Sequence, residues 1–231
     1  MLNINSLHWN EIQVELNKKG FAHIPELLTK KECEDLKQLY SMPIYRSIIN
    51  MQRYRFGMGE YKYFSYPLPE LIQLLREGFY PKLATIANQW SELLGSDTNY
   101  PTLHSDFISI CHQLNQNRPT PLILHYQQGG FNTLHQDLYG EVYFPFQVVI
   151  ALSQRGADYE GGELVMTEQL PRAQSKANVL TPNQGDAIIF TTNFRPVKGT
   201  RGYFKSRMKH GVSELKSGER YALGIIFHDA S

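Results

Sequence analysis

The segment HYQQGGFNTLHQD, residues 125–137, decides how this 231-residue chain reads. A glycine turn, Gly129-Gly130, follows the β-rich run LILHYQ and precedes His135 and Asp137, two positions apart. Side chains at i and i+2 of a strand share a face, so this imidazole and this carboxylate point the same way. Such a pair suits a borderline divalent metal. The triplet H-x-D is weak by itself, because the chain holds a second one, His104-Ser105-Asp106. That second triplet opens the helix-like run DFISICHQLNQ (106–116), where Ser105 or Asp106 reads as a cap.

Outward from the first segment, the C-terminal half is β-rich. FPFQVVIAL, GELVMTE, DAIIFTT and YALGIIFH are short runs parted by Gly, Pro and Asn. Many short strands in one stretch favour a sandwich or barrel over βαβ units. The first hundred residues read as helical. Ser6 caps a helix through Lys19 that Gly20 stops, and FAHIP (21–25) is a short strand. Thr29 and Glu32 make a capping box that starts a helix to about Tyr40. PELIQLLREG (69–78) and PKLATIANQWSELLG (81–95) read as two helices, each closed by a glycine. The expectation is one domain over 1–231, with a mostly helical support at 1–120 and a β core at 121–231.

Composition narrows the function classes. Lys and Arg number 23 against 22 Asp and Glu, so no global field draws the chain to nucleic acid or membrane. Cys33 and Cys111 form no C-x-x-C pair, which excludes a readable zinc knuckle or disulfide framework. The N-terminus lacks the basic and apolar regions of a secretory signal, and no apolar run is long enough for a bilayer. A soluble cytoplasmic protein is expected, with no signal for its oligomeric state.

A third ligand candidate lies far along the chain, His210 in MKHGVSEL. Two histidines and one carboxylate form the facial triad of non-haem Fe(II) oxygenases, which leaves coordination positions open on one side. Ten residues on, GERYALGIIF carries Arg220. Alternation puts Arg220, Ala222 and Gly224 on one face, and the small residues leave room beside the guanidinium. Facing a cavity, it needs an anion, and its fork matches a carboxylate. A dicarboxylate with a 2-keto acid at its other end would reach the metal. The competing reading is a structural ion pair with Glu160, Glu163 or another acid.

The order Tyr126-x-x-Gly129, His135-x-Asp137, Gly161-Gly162-Glu163-Leu164, Pro182…Gly185-Asp186, Phe190, His210 and Gly218-x-Arg220 resembles the Fe(II)/2-oxoglutarate-dependent dioxygenases, most of all the prolyl-hydroxylase-type branch. The match covers about 121–228, and GFAHIPELLTKKECEDL (20–36) is similar to the helical lead-in of that superfamily. The resemblance implies a mainly β fold with N-terminal helices, a double-stranded β-helix (jelly roll, cupin-like). It implies Fe(II) on His135, Asp137 and His210, and 2-oxoglutarate paired with Arg220 and hydrogen-bonded by Tyr126. It also implies O2 as oxidant and hydroxylation of a substrate C–H bond. Two positions depart from relatives. Ala222 stands where many carry Ser or Thr, and Ile226 where AlkB-type demethylases carry a second arginine.

Two basic, aromatic segments are substrate candidates. YRSIINMQRYRFGMGEYKYF (45–64) interleaves Arg46, Arg53, Arg55 and Lys62 with aromatics, and FRPVKGTRGYFKSRMK (194–209) has six basic residues and no acid. Both patterns suit base stacking with phosphate neutralisation, but the near-zero net charge favours a solvated loop over an aromatic core. The 45–64 stretch, with FGMGEYKYFSYPLP, resembles a bacterial oxygenase family labelled as acting on alkylated DNA bases. That likeness implies a base stacked on Tyr54, Phe56 or Tyr63 beside Arg53 and Arg55, with alkylated DNA or RNA as partner. The alternatives are hydroxylation of a protein side chain or small metabolite, and a non-redox cupin-type metal enzyme or binding module. The last gives no reason for Arg220 to face the metal. By alternation His125 faces away from Tyr126, and His228 ends the last strand.

Overall fold

The computed structural model describes residues 3–138 and 140–231. Among them lie four helices, α1 (Trp9–Lys19), α2 (Lys30–Leu39), α3 (Glu70–Leu93) and α4 (His104–Gln113). The strands in the first half are β1 (Phe21–Ile24), β2 (Tyr45–Asn50), β3 (Gly57–Met58), β4 (Glu60–Phe64) and β5 (Leu122–Gln127). They continue as β6 (Phe131–His135), β7 (Phe146–Ala151), β8 (Tyr159–Gly161), β9 (Leu164–Gln169) and β10 (Lys176–Leu180). The last four are β11 (Ala187–Thr191), β12 (Phe194–Gly199), β13 (Gly202–Val212) and β14 (Leu215–Ile226).

The strands form two antiparallel sheets, the double-stranded β-helix expected from the sequence. One runs β1-β11-β7-β14-β5-β4-β2, with β8 on β14; the other runs β10-β9-β13-β6-β3, with β12 on β13. The outer side of the larger sheet packs on the helices. Leu75, Phe79, Leu83 and Trp90 of α3 share one buried cluster with Val148, Ile150, Leu223 and Ile225 of β7 and β14. The inner sides of the two sheets enclose a cavity instead. No helix among the described residues is long and apolar enough to cross a membrane.

Local signals held where the chemistry is local. Thr29 and Glu32 make the reciprocal capping box of α2, and Gly20 ends α1 in the left-handed region at φ 79°. Ser6 does not cap α1: it lies in a 3-10 turn, and His8 holds the N-cap position. The two helices read at 69–78 and 81–95 are one, because α3 continues through Pro81. Phe79, Tyr80 and Leu83 are fully buried around that proline, and their packing outweighs the lost backbone bond. Gly78 is no terminator; a Cβ there would meet Ile4 Cδ1 at 2.6 Å. The mostly helical reading of 1–120 also omitted β2, β3 and β4, which extend both sheets. Their side chains are half-buried almost throughout, so no alternation was visible.

A buried polar knot ties α3 to the end of β14. Arg76, 1% exposed, donates to the carbonyls of Ile226, Phe227 and His228 and pairs with Asp229 at 2.7 Å. Two neutral histidines complete it. His104 Nε2 donates to the Phe227 carbonyl, and His228 Nδ1 accepts the Phe144 N–H, a role protonation would end. Burial, helped by Arg76, pushes both imidazoles down to about 4. Unfolded, each takes a proton near pH 6.5. Between those values the unfolded chain holds more protons, so stability falls as pH drops from about 6.5 toward 4. The expected loss is on the order of 3 kcal/mol per histidine. His228→Asn keeps an acceptor for Phe144 but cannot be protonated, so urea midpoints from pH 7 to 4.5 should vary less steeply in that variant.

Candidate active site

The cavity between the sheets measures about 230 Å³. Leu122, Leu124, Val149, Leu164, Val212 and Ile226 give it apolar walls. His135, Asp137, His210, Arg220 and Tyr126 all line it as well. The structure therefore brings together the five residues singled out from the sequence, from four separate strands and one strand end.

His135 and His210 are direct cross-strand partners of β6 and β13, with ring centroids 4.2 Å apart. Asp137 joins them by a different route from the expected one. The strand ends at His135, so Asp137 is not carried inward by strand alternation. The chain after β6 is fixed by Gln136, whose amide donates to the carbonyls of Asn193 and Met208. Gln147 of β7 then donates to Asp137 Oδ2 at 2.9 Å and aims the carboxylate. Asp137 Oδ1 lies 3.4 Å from His135 Nε2 and Oδ2 lies 3.3 Å from His210 Nε2. One ligand atom from each residue lies within 4.8 Å of the others, the size of a site for one ion.

Protonation fits the donor set. His135 Nδ1 is 2.8 Å from the Thr133 carbonyl and so carries the proton, leaving the Nε2 lone pair turned to the cluster. Burial opposes charge on Asp137, but hydrogen bonds and attraction from both imidazoles hold it well below the carboxylate range. Burial keeps His210 low, and against burial the Asp137 carboxylate holds His135 above its ordinary value. Two imidazoles around one ionised carboxylate, with cavity on one side, fit a divalent metal with open positions.

Arg220 faces the same space. It is 4% exposed and, among the described residues, forms no salt bridge. The acid that might have claimed it, Glu163, pairs with Arg155 and Ser213. Gly162, at φ 60°, makes room: a Cβ there would stand 3.1 Å from Arg220 Cδ. Tyr126 lies beside it, with the Arg220 guanidinium carbon 5.6 Å from the ring centre. The Tyr126 hydroxyl is buried with no partner at close hydrogen-bond geometry, the Asn132 side chain being its polar neighbour, and burial pushes its phenol up to about 12. A buried cation lacking a counter-charge, beside a buried hydroxyl with bonding capacity to spare, marks a place for an anionic ligand.

The substrate candidates divide. Phe56 and Tyr63 line the cavity, Tyr63 with Tyr61 edge-on at 5.4 Å and the Arg46 guanidinium 4.5 Å over its ring. Arg53, Tyr54 and Arg55 do not line it; they are exposed on the turn leading to β3. Tyr54 stacks on Phe56 at 5.5 Å and 18°, and the Phe56 carbonyl accepts from both the N–H and the hydroxyl of Thr133 on β6. The second H-x-D triplet stays apart: His104 is buried, and Ser105 and Asp106 lie in the first turn of α4 behind the N-cap Leu103. Of the residues that orient the cluster, sequence reasoning missed Gln147. Its one signal was a lone polar residue within FPFQVVIAL, where a buried amide needs a partner.

Comparisons with known proteins agree with this geometry. Residues 59–230 match the model of the family Oxygenase-NA, described as "Oxygenase, catalysing oxidative methylation of damaged DNA". The uncharacterized protein Rv2227 of Mycobacterium tuberculosis is 47% identical over 168 residues, 73% of this chain and 72% of that one. A crystal structure of an oxidoreductase of the 2OG-Fe(II) oxygenase family from Burkholderia pseudomallei superposes with a TM-score of 0.58 and 17% identity, covering 98% of this chain and 95% of the other. A prolyl hydroxylase from Trichoplax adhaerens, in complex with a hypoxia inducible factor peptide, also gives 0.58 and 17%, over 96% and 89%.

Proposed function

Because the chain belongs to the Oxygenase-NA family and is a dioxygenase using Fe(II), 2-oxoglutarate and O2, we propose that it removes alkyl groups oxidatively from nucleobases. In this reading His135, Asp137 and His210 hold the iron, and Arg220 and Tyr126 hold 2-oxoglutarate. The observation that carries it is the unpaired Arg220, buried in the same cavity as the His-Asp-His cluster. A buried guanidinium with no counter-charge calls for an anion, which a dicarboxylate co-substrate supplies.

Fe(II) with 2-oxoglutarate supplies O2 activation and the oxidation of a C–H bond. The residues of this chain do the rest. His135 offers Nε2 because its Nδ1–H donates to the Thr133 carbonyl. Asp137 Oδ2 already accepts from the Gln147 amide, so Oδ1 is the freer oxygen. Arg220 offers two parallel N–H donors to the far carboxylate of the co-substrate, and the Tyr126 hydroxyl supplies the donor that Ala222 cannot. Apolar walls and the Tyr61–Tyr63 pair would exclude water from a substrate bound beside the His-Asp-His cluster. Oxidation of a carbon attached to a base nitrogen gives a hydroxyalkyl group. It leaves as an aldehyde and returns the N–H, so the chemistry strips a methyl group.

The nucleobase part rests on the family description and on the exposed Tyr54–Phe56 stack at the cavity. A base extruded from a strand needs an aromatic surface and a polar pocket. Stacking is worth about 1–3 kcal/mol per base. Tyr54→Ala with Phe56→Ala should therefore lower kcat/KM on a methylated oligonucleotide by roughly 5- to 150-fold, with the KM for 2-oxoglutarate unchanged. The general test is succinate and formaldehyde release on methylated oligonucleotides, peptides and free amino acids in parallel. Release with a peptide or amino acid alone would overturn the nucleobase reading and keep the oxygenase. Two free, buried thiols, Cys33 and Cys111, fit a reducing cytoplasm.

A further inference from the structure

The outward face of the β12–β13 hairpin carries a line of cations that the cavity does not use. Alternation along β13 sends Ser206, Met208 and His210 inward, all buried, and Tyr203, Lys205, Arg207 and Lys209 outward, all exposed. Across the hairpin Lys198 pairs with Tyr203 and is exposed on the same face. The ladder neighbours contain no acid: Gln169 and Thr167 of β9 stand opposite Arg207 and Lys209, and Phe194 and Pro196 of β12 opposite Arg207 and Lys205. Among the described residues none of Lys198, Lys205, Arg207 and Lys209 forms a salt bridge, whereas the inward Arg195 pairs with Glu168 at 2.6 Å. A chain with net charge +1 thus concentrates unopposed positive charge on one hairpin.

The array is ordered as well as basic. Lys205 Nζ lies 4.5 Å from the Phe194 ring centre, which holds it against the strand. Successive outward side chains recur at about 6.6–6.8 Å. Such a row fits a linear polyanion of regular charge better than a single small anion. The row also leads to the candidate site, since Lys209 adjoins His210. In the sheet order β13-β6-β3, the Tyr54–Phe56 pair lies on the far side of β6, the strand that ends in His135. An exposed aromatic pair is open to unpaired bases, which favours a single strand.

We infer that the outward face of β13 binds the sugar–phosphate backbone of single-stranded nucleic acid beside the target base, with Lys205, Arg207 and Lys209 each neutralising a phosphate. The inference deepens the nucleobase reading and rests on it for the identity of the partner.

The test uses the full chain and a fluorescently labelled single-stranded oligonucleotide with one N-methylated adenine. Three neutralised phosphates contribute about −2 to the slope of log K against log salt. In Lys205→Gln/Arg207→Gln/Lys209→Gln the slope should become shallower by about 2, with binding at low salt more than tenfold weaker. Lys205→Glu/Arg207→Glu should weaken binding further; circular dichroism checks that both variants fold. An unchanged slope and affinity in folded variants overturns the inference. So does a charge-dependent loss of binding to anionic phosphatidylserine vesicles without any loss of oligonucleotide binding. Turnover of N-methylated adenosine monophosphate by the wild-type enzyme separates the two claims. Turnover with an unchanged slope leaves the nucleobase reading standing and removes the track. A changed slope with no oxidation of any methylated nucleotide or oligonucleotide leaves the track and removes the reading.

Discussion

Replacing Asp137 with alanine is expected to abolish metal binding and reduce succinate release to the assay background. Among the described residues the side chain is the only carboxylate in the His-Asp-His cluster, and so the only protein anion that would balance a divalent ion there. Groups that merely support a ligand cost about 10–100-fold in metal affinity when removed, so losing the ligand itself costs more than 100-fold. Anaerobic titration with Fe(II) and 2-oxoglutarate reads this directly, through the charge-transfer absorption of the ternary complex. The fold should survive, because Asp137 ties no helix to a sheet and its one amide partner is Gln147. A folded Asp137→Ala enzyme that still binds metal and turns over would remove the residue from the ligand set.

The second large effect separates binding from stability. Arg220→Met should raise the KM for 2-oxoglutarate by roughly 100-fold, the equivalent of about 3 kcal/mol for two charge-assisted hydrogen bonds to one carboxylate. The same substitution should leave the ligand-free protein as stable as before or more so. It replaces a buried cation without a counter-charge by an apolar side chain of similar length. A structural ion pair predicts the reverse, an unchanged KM and a lower melting temperature. Thermal unfolding with and without 2-oxoglutarate distinguishes them in one experiment, since the ligand should raise the wild-type Tm and not that of the variant.

Much of the site was legible because its chemistry is written in residue types that are scarce in β-rich cores. An arginine beside alanine and glycine on a strand, or a histidine after a short β run, stands out from alternation alone. Asp137 was found by an argument that the structure revises. Two-residue spacing suggested one strand face, yet the carboxylate is set beyond the strand by Gln136 and Gln147. Neither amide has a motif: Gln147 reaches Asp137 from β7, and the partners of Gln136 lie on β13 and in the turn before β12, so only the fold reveals them. The fold was legible where runs are apolar and bounded, as in FPFQVVIAL and DAIIFTT. It was hidden in residues 45–64, where tyrosines, arginines and lysines on half-buried strands blur the period. Across Gly78 and Pro81 the punctuation was genuine, but tertiary packing overruled it.

The two imidazoles sit on one rung of the β6–β13 ladder. A slip of β6 by a single residue would swing His135 to the outside and put Leu134, now 44% exposed, against the cavity. An ion held by both rings, as proposed, would favour the true alignment over the slipped one, because only that register brings the two imidazoles together.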